Sequence, residues 1–128
     1  MAKIVIDLDN TITIHRSHDD YAKKKPNLAV VSRLRDYKKN GWYICIYTAR
    51  QMRTHNGNMK KLNTLTLPVI ERWLNMHSVP YDEIVLGKPW PEQDGFYVDD
   101  KAIRPSEFVQ LDASEIKEVL DHEGKYFN

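Results

Sequence analysis

The sequence predicts an α/β domain built on a parallel sheet, and three observations predict it. Apolar, β-favouring runs recur at Ile4–Ile6, Trp42–Tyr47, Glu83–Leu86 and Gly95–Val98, as in strands buried inside α/β proteins. Helical periodicities lie between them: Leu28, Val31, Leu34 and Tyr37, then Val69, Ile70, Trp73 and Leu74. Each run also stops at residues that a buried strand does not carry unpaired, namely Asp7 and Asp9, Thr48, Lys88, and Asp99 with Asp100. Strands alternating with helices argue for right-handed crossovers and a Rossmann-like sheet with helices on both faces.

The elements follow in order. Ile4, Val5 and Ile6 form the first strand, and Asp7 and Asp9 share a face where the chain leaves it. Residues 12–26 are polar and read as a flap over the mouth of a site. Their His15, His18, Asp19 and Asp20 lack zinc-ligand spacing. Asn27 caps a helix that runs to about Asn40, with Lys38 and Lys39 in its last turn and Gly41 behind it. The second strand ends at Thr48. Residues 49–66 read as an irregular loop at the site, since a loop this long in a small domain is usually functional. A helix is expected from about Thr66 or Leu67, with Pro68 in its first turn. Glu83–Leu86 is the third strand and Gly95–Val98 the fourth, with Phe108–Leu111 as a short edge strand. Asp112 or Ser114 caps a last helix, completed by Glu115, and Gly124 ends it.

Length and composition bound the rest. The chain has 128 residues, the size of one domain spanning 1–128 with one core. Its net charge of +1 supplies no bulk field for nucleic acid or membrane, and neither is expected as a partner. Cys45 is the single cysteine, so an intrachain disulfide is excluded and the thiol reads as core. No apolar run approaches membrane-spanning length and no secretory leader is visible, so a cytoplasmic protein is expected.

The strand ends carry the chemistry. In a parallel sheet they fall on one edge, where α/β proteins bind ligands. Acids crowded there repel one another unless a cation lies between them, and oxygen donors without sulfur or imidazole suit Mg²⁺. Lys88 and Thr48 add a positive charge and a donor, which suits a transferring phosphoryl group. A carboxylate can attack phosphorus, and a second acid two residues on can move the protons.

Asp7-Leu-Asp9-Asn-Thr11, Thr48, Lys88 and Asp99-Asp100 resemble the four ordered motifs of haloacid dehalogenase (HAD)-superfamily phosphatases. More narrowly, Thr48-Ala-Arg50, Arg53-Thr-His-Asn-Gly57, Gly87-Lys-Pro-Trp90 and Phe96–Pro105 resemble small capsule-biosynthesis phosphatases. The resemblance implies that Asp7 is nucleophile and metal ligand. Asp9 is then the general acid/base, with its backbone carbonyl on the metal. Asn10, Thr48 and Lys88 hold the phosphoryl oxygens, and Asp99 and Asp100 complete the Mg²⁺ site. Neither 12–26 nor 49–87 can hold a separate cap domain, so the site is open to a bulky substrate or roofed by a second subunit of a homo-oligomer. Arg16, Arg50, Arg53, His55 and Trp90 are the candidate substrate contacts. The function implied is Mg²⁺-dependent hydrolysis of a small phosphomonoester, a sugar phosphate or polysaccharide precursor. The alternatives are a phosphatase of nucleotide or nucleic-acid ends, a receiver-like phospho-accepting domain, and a non-catalytic binding module. The acid pair comes last among the motifs rather than first, which counts against a receiver.

Overall fold

Among the described residues, three parallel strands form the sheet, in the order β1 (Lys3–Ile6), β2 (Tyr43–Tyr47), β3 (Glu83–Val85). Ile4, Ile6, Ile44, Ile46 and Ile84 share one face, because Ile4 pairs with Ile44, and Ile46 with both Ile6 and Ile84. Two connections cross that face. Between β1 and β2 lies α1 (Leu28–Lys39); between β2 and β3 lie α2 (Met59–Lys61), a π-turn (Leu62–Thr66) and α3 (Leu67–Met76). Both crossovers step the same way across the sheet, so right-handed connections place their helices together. Val30, Val31 and Leu34 of α1 and Ile70, Trp73 and Leu74 of α3 are buried with Ile44 and Ile46 as the core. The opposite face is more open: Val5 is 60% exposed, and Lys3 pairs across it with Glu83 at 3.1 Å.

The computed structural model describes residues 2–127 and divides into two compact units, one up to Trp90 and one from Pro91. The first unit is the α/β body just described. The second holds α4 (Pro105–Gln110) and α5 (Ala113–Lys125). Among the described residues, no helix is long and apolar enough to cross a membrane.

Local signals explain most boundaries. The Asn27 side chain accepts from the Val30 N–H and starts α1, whose last turn carries Lys38 and Lys39. Asp112 accepts from the Glu115 N–H at 2.8 Å while Glu115 accepts from the Asp112 N–H at 3.0 Å, a reciprocal capping box that opens α5. The helix continues through Gly124 to Lys125 rather than stopping at the glycine.

Three expectations are corrected. Gly95–Val98 is not a strand: those residues join no ladder, and Phe96 and Val98 are 79% and 88% exposed. An apolar triplet becomes a strand only where its backbone groups find a neighbour. The turn before it is tight, since a Cβ on Gly95 would lie 2.0 Å from the Pro91 carbonyl oxygen. Phe108–Leu111 is not an edge strand either. Pro105 occupies the first helical turn and the Glu107 carboxylate accepts from the Arg104 N–H at 2.8 Å, so Phe108 lies in α4. Finally, the helix before β3 starts earlier than Thr66. Asn58 accepts from the Lys61 N–H at 3.1 Å and opens α2.

Asp82 pins three elements of the first unit. Its carboxylate takes the Ile44 N–H at 2.7 Å and pairs with Lys38 of α1, and its own N–H donates to the Ile44 carbonyl at 2.8 Å. The Lys38 bond first, then the Ile44 N–H, hold this carboxyl below its ordinary range. A lowered folded pKa gives stability that is present above the unfolded value and lost as pH falls through the folded one. Asp82→Asn is expected to lower stability at pH 7 by no more than about 1 kcal/mol, because the Lys38 pair is partly solvent-screened and the amide oxygen can still accept the Ile44 N–H. Denaturant melts of the two proteins should converge as pH falls below the ordinary carboxylate range.

Candidate active site

The chain leaves β1 at Ile6 and turns at once. The Leu8 carbonyl accepts from the N–H groups of Thr11, Ile12 and Thr13 at 3.3, 2.9 and 3.1 Å. Leu8, Ile12 and Thr13 are fully buried, so the turn is nailed to the core. Asn10 stands at its apex with φ of 63°, a left-handed conformation that Asn tolerates. Its N–H donates to Thr13 Oγ1 at 2.8 Å, and its side-chain oxygen accepts from the Arg16 N–H at 2.9 Å. Asp7 and Asp9 are thus presented from a rigid turn at the carboxyl end of β1.

A circuit of contacts joins the ends of all three strands. Lys88 Nζ, just past β3, lies 3.8 Å from Asp7 Oδ1, and Thr11 Oγ1 donates to Asp7 Oδ2 at 3.2 Å. The Lys88 N–H donates to the Thr48 carbonyl at 3.1 Å, and the Thr48 N–H to the Val85 carbonyl at 3.0 Å. Thr48 Oγ1 accepts from the Arg50 N–H at 3.1 Å. The Arg50 guanidinium grips Asp9 with both prongs, Nε to Oδ2 at 3.0 Å and Nη2 to Oδ1 at 2.7 Å. Burial pushes the Asp7 carboxyl above its ordinary range. The Lys88 charge pulls the other way, and the Asp9 charge adds to the rise.

Residues 12–26 form a loop tied at its neck. Thr13 bridges Pro26, the Ile14 N–H donates to the Lys25 carbonyl at 2.8 Å, and the Asn27 N–H to the Ile12 carbonyl at 2.7 Å. Trp73 Nε1 of α3 donates to the Lys24 carbonyl at 2.8 Å and anchors the far side. From this loop Tyr21 lays its ring against the guanidinium, 4.2 Å from ring centre to Arg50 Cζ.

The first unit therefore gathers Asp7, Asp9, Thr48, Lys88 and Arg50 of the residues singled out from the sequence. Arg16 and Arg53 are exposed and Trp90 is 44% exposed. His55 is half-buried, with Nε2 enclosed and unpartnered. Asp99 and Asp100 belong to the second unit, where both are exposed and Asp99 accepts from the Lys101 N–H at 2.8 Å. Among the described residues no three His, Cys, Asp or Glu side chains form a metal-sized group. Sequence reasoning passed over Tyr21. The signal was present, since it is the one Phe, Tyr or Trp in residues 12–26.

Gly87 carries the turn into Lys88. Its φ is 84°, and a Cβ there would lie 2.9 Å from Met59 Sδ. Only glycine adopts this conformation freely, so Met59 of α2 packs directly under the lysine-bearing turn.

Fold and edge together define an α/β protein whose strand ends present an acid pair, an amine and a hydroxyl. No family model and no curated protein matches the chain. Among solved structures, an MCSG target from Vibrio cholerae is 49% identical, with a TM-score of 0.93, over 96% of this chain and 99% of that one. The chain belongs to the same family as that Vibrio cholerae protein. A chain of the Pnkp1/Rnl/Hen1 complex is 22% identical with a TM-score of 0.50; 86% of this chain aligns with 34% of that one, and what they share is fold.

Proposed function

We propose that the protein is a HAD-type phosphomonoester hydrolase that uses Mg²⁺ and passes through an aspartyl phosphate on Asp7. One observation carries the reading. The Asp7 carboxylate stands at the end of β1 beside the Lys88 amine, with Thr48 at the end of the neighbouring strand. A nucleophile, a cation and a hydroxyl on adjacent strand ends are what phosphoryl transfer asks of a protein.

The steps follow from these groups. An Asp7 oxygen attacks phosphorus, the bond to the leaving oxygen breaks, and the Asp9 carboxyl gives that oxygen its proton. Lys88 and the Thr48 hydroxyl hold the phosphoryl oxygens as charge builds on them. Water then attacks phosphorus, Asp9 takes its proton, and the bond to Asp7 breaks to release phosphate. The donor set fits a hard cation. Asp7 offers carboxylate oxygen, and the family resemblance adds the Asp9 backbone carbonyl, while the Asp9 side chain is kept for the proton. The sequence resemblance alone adds Asp99 and Asp100 as further donors. When bound, Mg²⁺ would supply charge neutralisation at the phosphoryl group.

The substrate class proposed is a small sugar phosphate or polysaccharide precursor met in the cytoplasm. The expectation that nucleic acid is no partner has no support from the fold, which a chain of the Pnkp1/Rnl/Hen1 complex shares. The deciding assay is phosphate release with Mg²⁺ from sugar phosphates, nucleotides and oligonucleotides bearing terminal phosphates. Turnover on the first group alone supports the reading, turnover on oligonucleotides alone replaces its substrate, and silence on all three refutes it. EDTA is expected to abolish release and excess Mg²⁺ to restore it; activity that persists through chelation would remove the metal from the scheme.

A further inference from the structure

We propose that Arg50 and Tyr21 are positioning residues for Asp9: the flap aromatic holds a buried arginine, and the arginine holds the carboxylate. This rests on the phosphatase reading above and assigns work to two residues that do not touch substrate. The sequence makes Arg50 a candidate substrate contact; its side chain is 1% exposed, and the proposal has substrate meet Asp9 rather than the guanidinium behind it.

The Asp9 side chain follows a turn and is 24% exposed, free to rotate unless something fixes its plane. A planar fork bound to both oxygens fixes it, which a lysine in the same place cannot do. Proton transfer needs the acid within about 2.6–3.2 Å of the leaving oxygen, so a fixed plane matters directly. Arg50 is itself fixed at both ends. Thr48 Oγ1 accepts from its backbone N–H, and the Tyr21 ring covers the guanidinium. The third nitrogen, Nη1, is buried without a partner. The loop that carries Tyr21 is in turn tied at its neck by Thr13 and Pro26 and, through the Lys24 carbonyl, to Trp73. The conformation of residues 12–26 is thereby transmitted through one stacking contact and one ion pair to the proton-transfer group.

Leaving-group dependence separates this from other roles. kcat/KM reports steps through departure of the leaving oxygen, which needs a proton when that oxygen is basic and hardly needs one when it is not. The probes are glycerol 1-phosphate and p-nitrophenyl phosphate, assayed with wild type, Arg50→Lys, Tyr21→Ala and Tyr21→Phe. Arg50→Lys is expected to lower kcat/KM for glycerol 1-phosphate about 100-fold and for p-nitrophenyl phosphate less than about 10-fold. KM should stay nearly constant for both. Tyr21→Ala should show the same bias at about 10-fold, and Tyr21→Phe, which keeps the ring, should recover most of the loss. A rise in KM would make Arg50 a substrate contact and overturn the proposal. Equal losses on both probes together with a lowered melting temperature would make the contact structural and overturn it likewise. Wild type that is active while Tyr21→Ala is unaffected removes the flap from the chain of effects. Wild type that releases phosphate from neither probe refutes the phosphatase reading, and this proposal with it.

Discussion

Asp7→Asn is expected to stop phosphate release, by at least about a thousand-fold, while leaving the protein folded. The amide keeps the shape of the side chain but has no carboxylate to attack phosphorus, and losses of nucleophiles are of this order or larger. The fold control has a definite sign. Burial holds the Asp7 carboxyl above its ordinary range. The ionised side chain therefore weakens the fold above that range, and the weakening fades as pH falls and the acid takes up its proton. In EDTA at pH 7 the variant should be at least as stable as wild type, with the difference shrinking in acid. Melting curves across pH check the second half, and a single-turnover assay checks the first. Turnover that survives the change moves the nucleophile elsewhere. Asp9→Asn provides the contrast, because the nucleophile remains and only proton handling is lost.

The second large effect is on stability. Trp73 is buried in α3, tilts against His77 at 4.6 Å between ring centres, and bonds the flap backbone through Nε1. Trp73→Ala removes a large core side chain and is expected to cost about 3–5 kcal/mol, lowering the melting temperature by roughly 10 °C or more. Trp73→Phe isolates the hydrogen bond. It retains most of the buried surface and gives up the donor to Lys24, at a cost of about 1 kcal/mol, with a further loss where the smaller ring leaves space. Since Lys23, Lys24 and Lys25 lie together there, trypsin should cut the flap of Trp73→Phe faster than that of wild type by more than this stability difference accounts for. Equal cutting rates would mean that the neck alone holds the flap.

Much of this was readable in the residues. Ile4–Ile6 running into Asp7, and Tyr43–Tyr47 running into Thr48, announce strands that end in chemistry, because neither acid nor hydroxyl is stable inside an apolar ladder. Asn27 and Asp112 announce helix starts, since each side chain can satisfy a backbone N–H locally. Elsewhere the neighbours decide. Phe96–Val98 has the composition of a strand, but pairing is a property of neighbours that composition does not contain. Arg50 has the composition of a surface contact, and only the positions of Asp9 and Tyr21 turn it inward. Phe108 differs: Pro105 followed by Glu107 is a helix-start signal, and it outweighs the apolar residues behind it.

The π-turn at Leu62–Thr66 has a consequence for how this chain can vary in length. Such a turn carries one residue more than the α-helical spiral around it needs. Excising a single residue there lets the spiral close into regular α-helix with both flanks kept in register. The same deletion inside α3 would swivel everything upstream by roughly 100° about its axis. Met59 would then swing out from beneath Gly87, and the bend that delivers Lys88 would lose its floor. The π-turn therefore acts as slack: a change of length is absorbed there while the clocking of the helix against that bend is kept.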